Sequence, residues 1–556
     1  MPLSARATGL VVAAVRGAEQ LTRVPGAALR AAAAVPAALG RAADGLSDTA
    51  RLGPLRFRRR AWASDGRGLI ELREAADGAD AGAAGRAIAA ALRGVRGVNW
   101  AQVNTVTGHA LVLFDQRKVT LASLVETVND VEESRGQNDT GWSRAEPPHP
   151  GDPAAVTGAV IGLAADLAGL AAAAMTSLVV VPPVPTGARA LIGIVEAQPR
   201  VRRLVEHAVG PVGADALVGI GSGVLNGLSG GVGPLAVTAL SHALLLGEVR
   251  ARRSAWQAQE ARLREASGAD PVHPPIKADR PSAYPVGPVE AFADRVAATS
   301  LLAAGAVLAV TGSASRTAYL LLIGVPPAAR LGREAFAATL AWQLAGAGVL
   351  PMDPGAFRRL DRITTVLIDD SLLGLAPGDD VGPVDGSDWP AALPEILEQL
   401  AAAGLTVAAA RRRTPPDQEE ALPADPLSAT EVRRLQADGE AVLVLATSDN
   451  DILAAADVAL AVHRPGRPVG WAADLITDDP AAALTVLRAV PLARRLSRRA
   501  TAVATAGTVT AGLLTTLAPW PLRGDLTLQP VYLTGLITQA DGVRTALSAR
   551  PAGRWR

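Results

Sequence analysis

Thr364-Thr365-Val366-Leu367-Ile368-Asp369-Asp370-Ser371 is the stretch whose reading decides the fold of this chain. Its β-branched and aliphatic residues form an unbroken run, which reads as a buried strand, and the strand ends in an acidic pair. On both sides lie groups of apolar segments long enough to cross a bilayer, which takes about 20 helical residues. A buried strand set between membrane segments predicts a small α/β module carried on a helical membrane bundle.

The composition agrees with that expectation. The chain has 556 residues, 49% of them hydrophobic and 19% charged, which points to several domains and to membrane insertion rather than disorder. A net charge of +1, with the basic residues in short clusters beside apolar spans, argues against a nucleic-acid partner. The lipid bilayer is the partner the composition implies. Cysteine is absent, so disulfides, thiolate metal sites and cysteine nucleophiles are excluded, and any metal needs oxygen or histidine ligands. Lys118 and Lys277 are the only lysines.

Residues 1–65 are rich in Ala and Arg and read either as amphipathic helices lying on the membrane surface or as a loosely ordered tail. Arg16 and Arg23 interrupt any apolar region there and disfavour a cleaved signal peptide. Residues 66–136 form a small domain with a strand at 68–72, a helix at 84–95, a hairpin at 99–106 and 110–115, and a helix at 121–133. Its order is βαββα. A linker at 137–153 leads to the first membrane group, 154–254. The clearest span there, 154–181, carries a single ionisable residue, Asp166. An acid at membrane depth is costly unless it faces water or a partner, which makes Asp166 a candidate ion ligand; the alternative is an acid shifted toward the interface. A short segment follows at 187–195, then 217–249, broken at 227–231. That last segment runs into Arg250, Arg252 and Arg253, which mark a cytoplasmic end.

Residues 255–290 read as a stalk end and a Pro-rich linker, and 291–350 as the second membrane group, with spans at 292–311 and 318–350. Pro326 lies inside the second of these, where proline frees backbone carbonyls that transporters use for ions. The α/β module occupies 351–490. A short helix at 480–490 closes it, and Arg494, Arg495, Arg498 and Arg499 set another cytoplasmic boundary. The last membrane pair and tail take up 491–556, with spans at 501–517 and 528–546. Eight membrane segments in groups of four, two and two result.

In this order the chain resembles the heavy-metal, cation-transporting P-type ATPases, and it looks most like the divergent amino-terminal halves of large actinobacterial cation ATPases. The hairpin "VNTVTGHALVLFD" within its βαββα order is similar to the family's heavy-metal-associated domain, a ferredoxin-like sandwich. That domain holds metal on a Cys-x-x-Cys loop, which here is Ala76-Asp77-Gly78-Ala79-Asp80. Soft-metal binding therefore does not carry over, and a docking role is implied. Asp369 falls on the family's phospho-acceptor, but Asp370 and Ser371 stand in place of its lysine and threonine. Asn450 and Asp451 match the remnant of its magnesium loop, whose first aspartate is Thr447 here. Val325-Pro326-Pro327 falls where the family has Cys-Pro-Cys and keeps the kink without the sulfurs; Asp166 and Pro326 are the candidate residues of a membrane ion path, with a kink that binds nothing as the alternative at Pro326. No Thr-Gly-Glu occurs anywhere, and neither the actuator domain at 255–290 nor the nucleotide-binding domain after Ser371 has room to exist.

The fold class expected is thus an α-helical polytopic membrane protein with a ferredoxin-like amino-terminal domain and a reduced HAD-like, Rossmann-like α/β domain, both cytoplasmic, in the plasma membrane. The function implied is that of a catalytically degenerate P-type ATPase-like protein, a regulatory or structural partner of an active P-type ATPase in cation transport. Two alternatives stand beside it. One is an active ATPase or phosphatase using Asp369, with Arg411 to Arg413 supplying the missing charge and with Mg²⁺ and ATP as cofactors. The other is a passive membrane adaptor.

Overall fold

The computed structural model describes residues 59–73 (apart from 60 and 65), 78–104, 109–136, 150–176 (apart from 152), 232–266, 280–369 (apart from 325 and 326), 372, 392–409 and 428–549 (apart from 465–467 and 518–524). The expectations for the amino-terminal tail, the loop at 76–77, the segments at 187–195 and 217–231, Pro326, Asp370, Ser371 and Arg411 to Arg413 lie outside the described residues.

The first module runs β1 (Ala61–Ser64), β2 (Arg67–Glu71), α1 (Gly78–Gly94), β3 (Val98–Asn104), β4 (His109–Phe114) and α2 (Leu121–Ser134). Its antiparallel sheet has the order β1-β2-β4-β3. Ile70, Leu92, Val112, Leu124 and Val128 are buried between the sheet and the two helices. The sequence reading lacked β1. That strand turns into β2 through Gly66, whose φ of 77° is open to glycine and strained for other residues. Thr120 caps α2 by accepting the Ser123 amide, and at the far end of α2 the buried Glu132 is paired with Arg59 and Arg73.

The helical bundle comprises α3 (Pro153–Thr176), α4 (Val232–Ala266), α5 (Pro288–Thr311), α6 (Ala314–Ile323), α7 (Ala328–Gly346), α12 (Pro480–Leu517) and α13 (Asp525–Ser548). Among the described residues three helices, α4, α5 and α12, are long and apolar enough to cross a membrane. Their outward faces carry Leu301, Leu302, Val310, Val509, Leu513 and Leu517, all exposed, an arrangement that suits lipid and not water. The chain is a multi-pass membrane protein.

Two spans differ from expectation. The segment at 318–350 is two helices, α6 and α7, because the proline pair between them cannot continue a helix ladder. The short helix at 480–490 and the span at 501–517 are one helix, α12, which passes through Pro491. Burial on both sides of that proline, from Ala482 to Val490 and again at Ala493 and Leu496, holds the helix continuous, and Arg495 donates to the Pro491 carbonyl at 3.3 Å.

The second sheet is built from β5 (Leu350–Pro351), β6 (Thr365–Ile368), β7 (Thr406–Ala409), β8 (Val442–Ala446), β9 (Val458–Val462) and β10 (Leu475–Thr477) in the order β5-β10-β9-β8-β6-β7. All neighbours are parallel except β5, which pairs antiparallel with β10. Strands β6, β8 and β9 are buried along their whole length, as expected of parallel strands covered on both faces. One face packs on α7, α9 (Leu393–Ala402) and α12, through Phe336, Leu340, Ile396, Leu400 and Leu487. The other receives α10 (Ala429–Ala437), α11 (Asn450–Ala455) and the projecting end of α4, whose Trp256 and Leu263 enter that core. A membrane helix thus becomes part of the sheet module's interior.

Charged side chains bind this junction. Arg358, on the short helix α8 (Gly355–Arg359), reaches Glu248 of α4 at 2.8 Å and Glu334 of α7 at 2.5 Å. Burial opposes its charge, and the two carboxylates outweigh that and hold the guanidinium above its ordinary value. Arg333 meets Glu290 of α5 at 2.6 Å, Arg362 pairs with the same carboxylate, and Asp361 accepts the Ser497 hydroxyl of α12 at 2.7 Å. The segment 280–287 lies across the sheet's amino-terminal edge. There Tyr284 is flanked by Arg280 and Arg362 at 4.9 and 5.1 Å from its ring, and Ser282 donates to the Gln436 carbonyl. Arg67 of β2 joins Glu260 of α4 at 3.0 Å, tying the first module to the projecting helix.

Candidate functional site

In an open parallel sheet, ligands bind beyond the carboxyl ends of the strands, where the order of winding reverses. Here β6 is followed by β7 on one side and then by β8 on the other, so the reversal falls between β6 and β8. Asp369 is the residue just past β6, and its amide donates to the Leu445 carbonyl of β8 at 2.8 Å. The loop after β8, Thr447 to Asp449, lies at the same edge. The structure therefore brings Asp369 and the Asn450–Asp451 pair to one crevice, at adjacent strand ends.

The detail of that crevice differs from the sequence reading. Asn450 and Asp451 are the first turn of α11 rather than loop residues. Asp449 is the cap, its carboxylate accepting the Asp451 and Ile452 amides at 3.1 and 3.2 Å, which suits the positive end of a helix. Asn450 Oδ1 accepts the Ala472 amide at 3.2 Å, and Asp451 is exposed. A magnesium ion wants several oxygen ligands, usually with one or two carboxylates. Among the described residues no group of three or more histidine and acidic side chains could hold a metal. With Asn450 turned to the backbone, Asp449 used as a cap and Thr447 in place of an acid, the described residues of this edge present no ligand set for Mg²⁺.

Sequence reasoning missed two residues at the same edge. His463 and Arg464 directly follow β9, and a basic pair after a buried strand was the available signal. Burial, with Arg262 nearby, holds the His463 imidazole below its ordinary value, and its Nδ1 has no hydrogen-bond partner among the described residues. Arg464 donates to the Leu372 carbonyl at 3.0 Å, and the Leu372 amide in turn bonds the Asp369 carbonyl at 3.0 Å. Arg464 is thus engaged on the backbone just after Asp369.

Asp166 lies elsewhere, inside the bundle between α3 and α4. It is 1% exposed, accepts the Thr238 hydroxyl at 2.9 Å and lies 2.6 Å from His242 Nδ1. These partners are 72 and 76 residues away in sequence and were not foreseen, although Thr238 and His242 stand one helical turn apart.

The fold and the crevice together define a class: a helical membrane protein carrying a doubly wound parallel sheet with an acid at its switch point. Comparison with known proteins narrows this. No protein-family model matches the chain. It is similar to the protein named probable cation-transporting ATPase I of Mycobacterium leprae (strain TN), 28% identical, with 69% of this chain and 31% of that protein covered. The proteins of the same name from two Mycobacterium tuberculosis strains, CDC 1551 / Oshkosh and ATCC 25618 / H37Rv, are 29% identical over 66% of this chain and 30% of their own length. The chain is thus similar to these mycobacterial proteins and spans about a third of their length. Among solved structures, a zinc-transporting PIB-type ATPase in the E2P state covers 70% of this chain and 99% of its own, at 13% identity and a TM-score of 0.30. A superposition that loose carries no argument.

Proposed function

We propose that this chain is a catalytically silent P-type ATPase-like membrane protein that serves as a structural or regulatory partner of an active cation-transporting ATPase. The sheet of 351–490 is, on this reading, a reduced HAD-like domain and the first module a ferredoxin-like docking domain, both on the cytoplasmic side of the plasma membrane. One observation supports the silence: among the described residues the edge around Asp369 presents no carboxylate set for Mg²⁺, and Arg464 there is engaged on the Leu372 carbonyl. Attack of a carboxylate on a phosphate brings anions together, and the reaction depends on positive charge placed to offset that repulsion. The only lysines, Lys118 and Lys277, both precede this sheet in the chain. The partner role rests on the retained bundle and on the sequence relationship to the mycobacterial proteins.

Purified full chain incubated with radiolabelled ATP and Mg²⁺ is expected to form no acid-stable, hydroxylamine-sensitive phosphoprotein. A phosphoprotein lost in Asp369→Asn would overturn the reading and make the chain an enzyme. Isolation from its own membranes is expected to bring down a full-length ATPase; isolation alone would favour a passive adaptor.

A further inference from the structure

Asp166 is the single ionisable side chain of α3, and it is turned into the bundle rather than toward lipid. An acid so placed marks a functional site more often than an accident, because its charge is costly without a partner. The surroundings are built for one. Thr238 and His242 stand one turn apart on α4, and Gly162 and Asp166 stand one turn apart on α3, so two matched faces meet. Gly162 leaves room for the imidazole: a Cβ added there would lie 2.7 Å from His242 Nε2.

The separation of His242 Nδ1 from Asp166 Oδ2, 2.6 Å, is that of a short charge-assisted hydrogen bond. Among the described residues no group of three or more histidine and acidic side chains gathers around it. A hydrogen fits on that line. The Asp166 side chain is 2% exposed and that of His242 is 30% exposed, so exchange with the surroundings runs through the imidazole.

We propose that Asp166 and His242 form a proton-binding site inside the membrane bundle, and that its occupancy sets how α3 packs on α4. With both imidazole nitrogens protonated, the pair carries no net charge. Loss of the Nε2 proton leaves the carboxylate without counter-charge between two apolar helices, and their packing responds. Among the described residues the other charges of the neighbouring helices are engaged elsewhere or exposed. Glu248 of α4 and Glu334 of α7 are held by Arg358, Arg333 by Glu290, and Asp541 of α13 by Arg499 at 3.4 Å, while Arg330 and Arg544 are exposed. Gln539 of α13 donates to Ser241 Oγ at 2.7 Å and to the Val237 carbonyl at 3.2 Å, so a shift of α4 is passed on to α13. The site stands independently of whether Asp369 accepts phosphate.

Because the chain lacks cysteine, spin labels can be placed at Leu167→Cys and Ala243→Cys, both exposed positions, in the full chain in lipid nanodiscs. The α3–α4 distance measured by pulsed electron resonance is expected to shift between two populations as pH changes, and the shift to vanish in Asp166→Asn and in His242→Gln. A distance that stays constant wherever the protein is folded, or one that still shifts in Asp166→Asn, would overturn the proposal. Should those variants fail to fold, nitrogen NMR of His242, in a chain whose other five histidines are replaced by glutamine, decides alone. The imidazole must change protonation state within the folded pH range, and a signal fixed throughout that range counts against the site.

Discussion

Asp457 stands at the start of β9, where one carboxylate oxygen accepts the Val442 amide at 2.8 Å and Arg280 lies 3.6 Å from the other. Burial pushes its carboxyl above the ordinary range, against the opposing pull of that amide and of Arg280. A folded-state value raised above the unfolded 3.8 means that the native protein binds the proton more tightly. The stability this confers is full below 3.8 and is lost as pH rises through the folded value. Asp457→Asn is therefore expected to flatten that part of the stability curve, measured by denaturant unfolding across a pH series. Asp457→Ala also strips the Val442 amide of its acceptor and should cost about 1–3 kcal/mol at neutral pH. At this scale the sequence was half legible. The acid ending β6 could be placed from its run of aliphatic residues, but the jobs of Asp449 and Asn450 depend on backbone amides that no spacing reveals. Thr238 and His242 were invisible because their partner lies on another helix.

Helix α13 crosses α7 in backbone contact. A Cβ at Gly542 would collide with the Gly332 carbonyl, and one at Gly332 would stand 3.2 Å from Ala500 Cβ, Thr538 Cβ and the Thr538 carbonyl. Small residues at such crossings let membrane helices approach closely where lipid offers no hydrophobic drive. Gly542→Val is expected to destabilise the bundle by about 1–3 kcal/mol or more, whereas Gly512→Ala, which meets nothing within 4 Å, should change it by less than about 1 kcal/mol. Thermal unfolding in one detergent compares the two. Arg358 is the element-scale joint between α4, α7 and α8. Arg358→Ala leaves the buried Glu248 uncompensated and should cost about 3–5 kcal/mol, and the double variant with Glu248→Gln should recover part of that loss in a mutant cycle. The long buried strands were legible as hydrophobic runs. Strands β5 and β10, two and three residues long, were too short to register, and the arginines at 494–499 lie within one continuous helix where two separate helices were expected.

Arg250, Arg252 and Arg253 at the projecting end of α4, together with the arginines in the middle of α12, put one sign of charge on the side of the bundle where both sheets lie. In a chain without cysteine, Asp130→Cys on α2 and Glu398→Cys on α9, both exposed, are expected to react only with a thiol reagent supplied from that side of sealed vesicles. Labelling of either from the opposite side would reverse the proposed orientation. Among the described residues the second sheet is tied to the bundle at several points. Segment 280–287 is pinned through Ser282 and Tyr284, α4 ends inside the sheet's core, and Arg358, Arg362 and Asp361 each grip a membrane helix. The consequence is mechanical. Through these ties, displacement imposed on the bundle by a neighbour would be passed on to the sheet, as through a coupling rod.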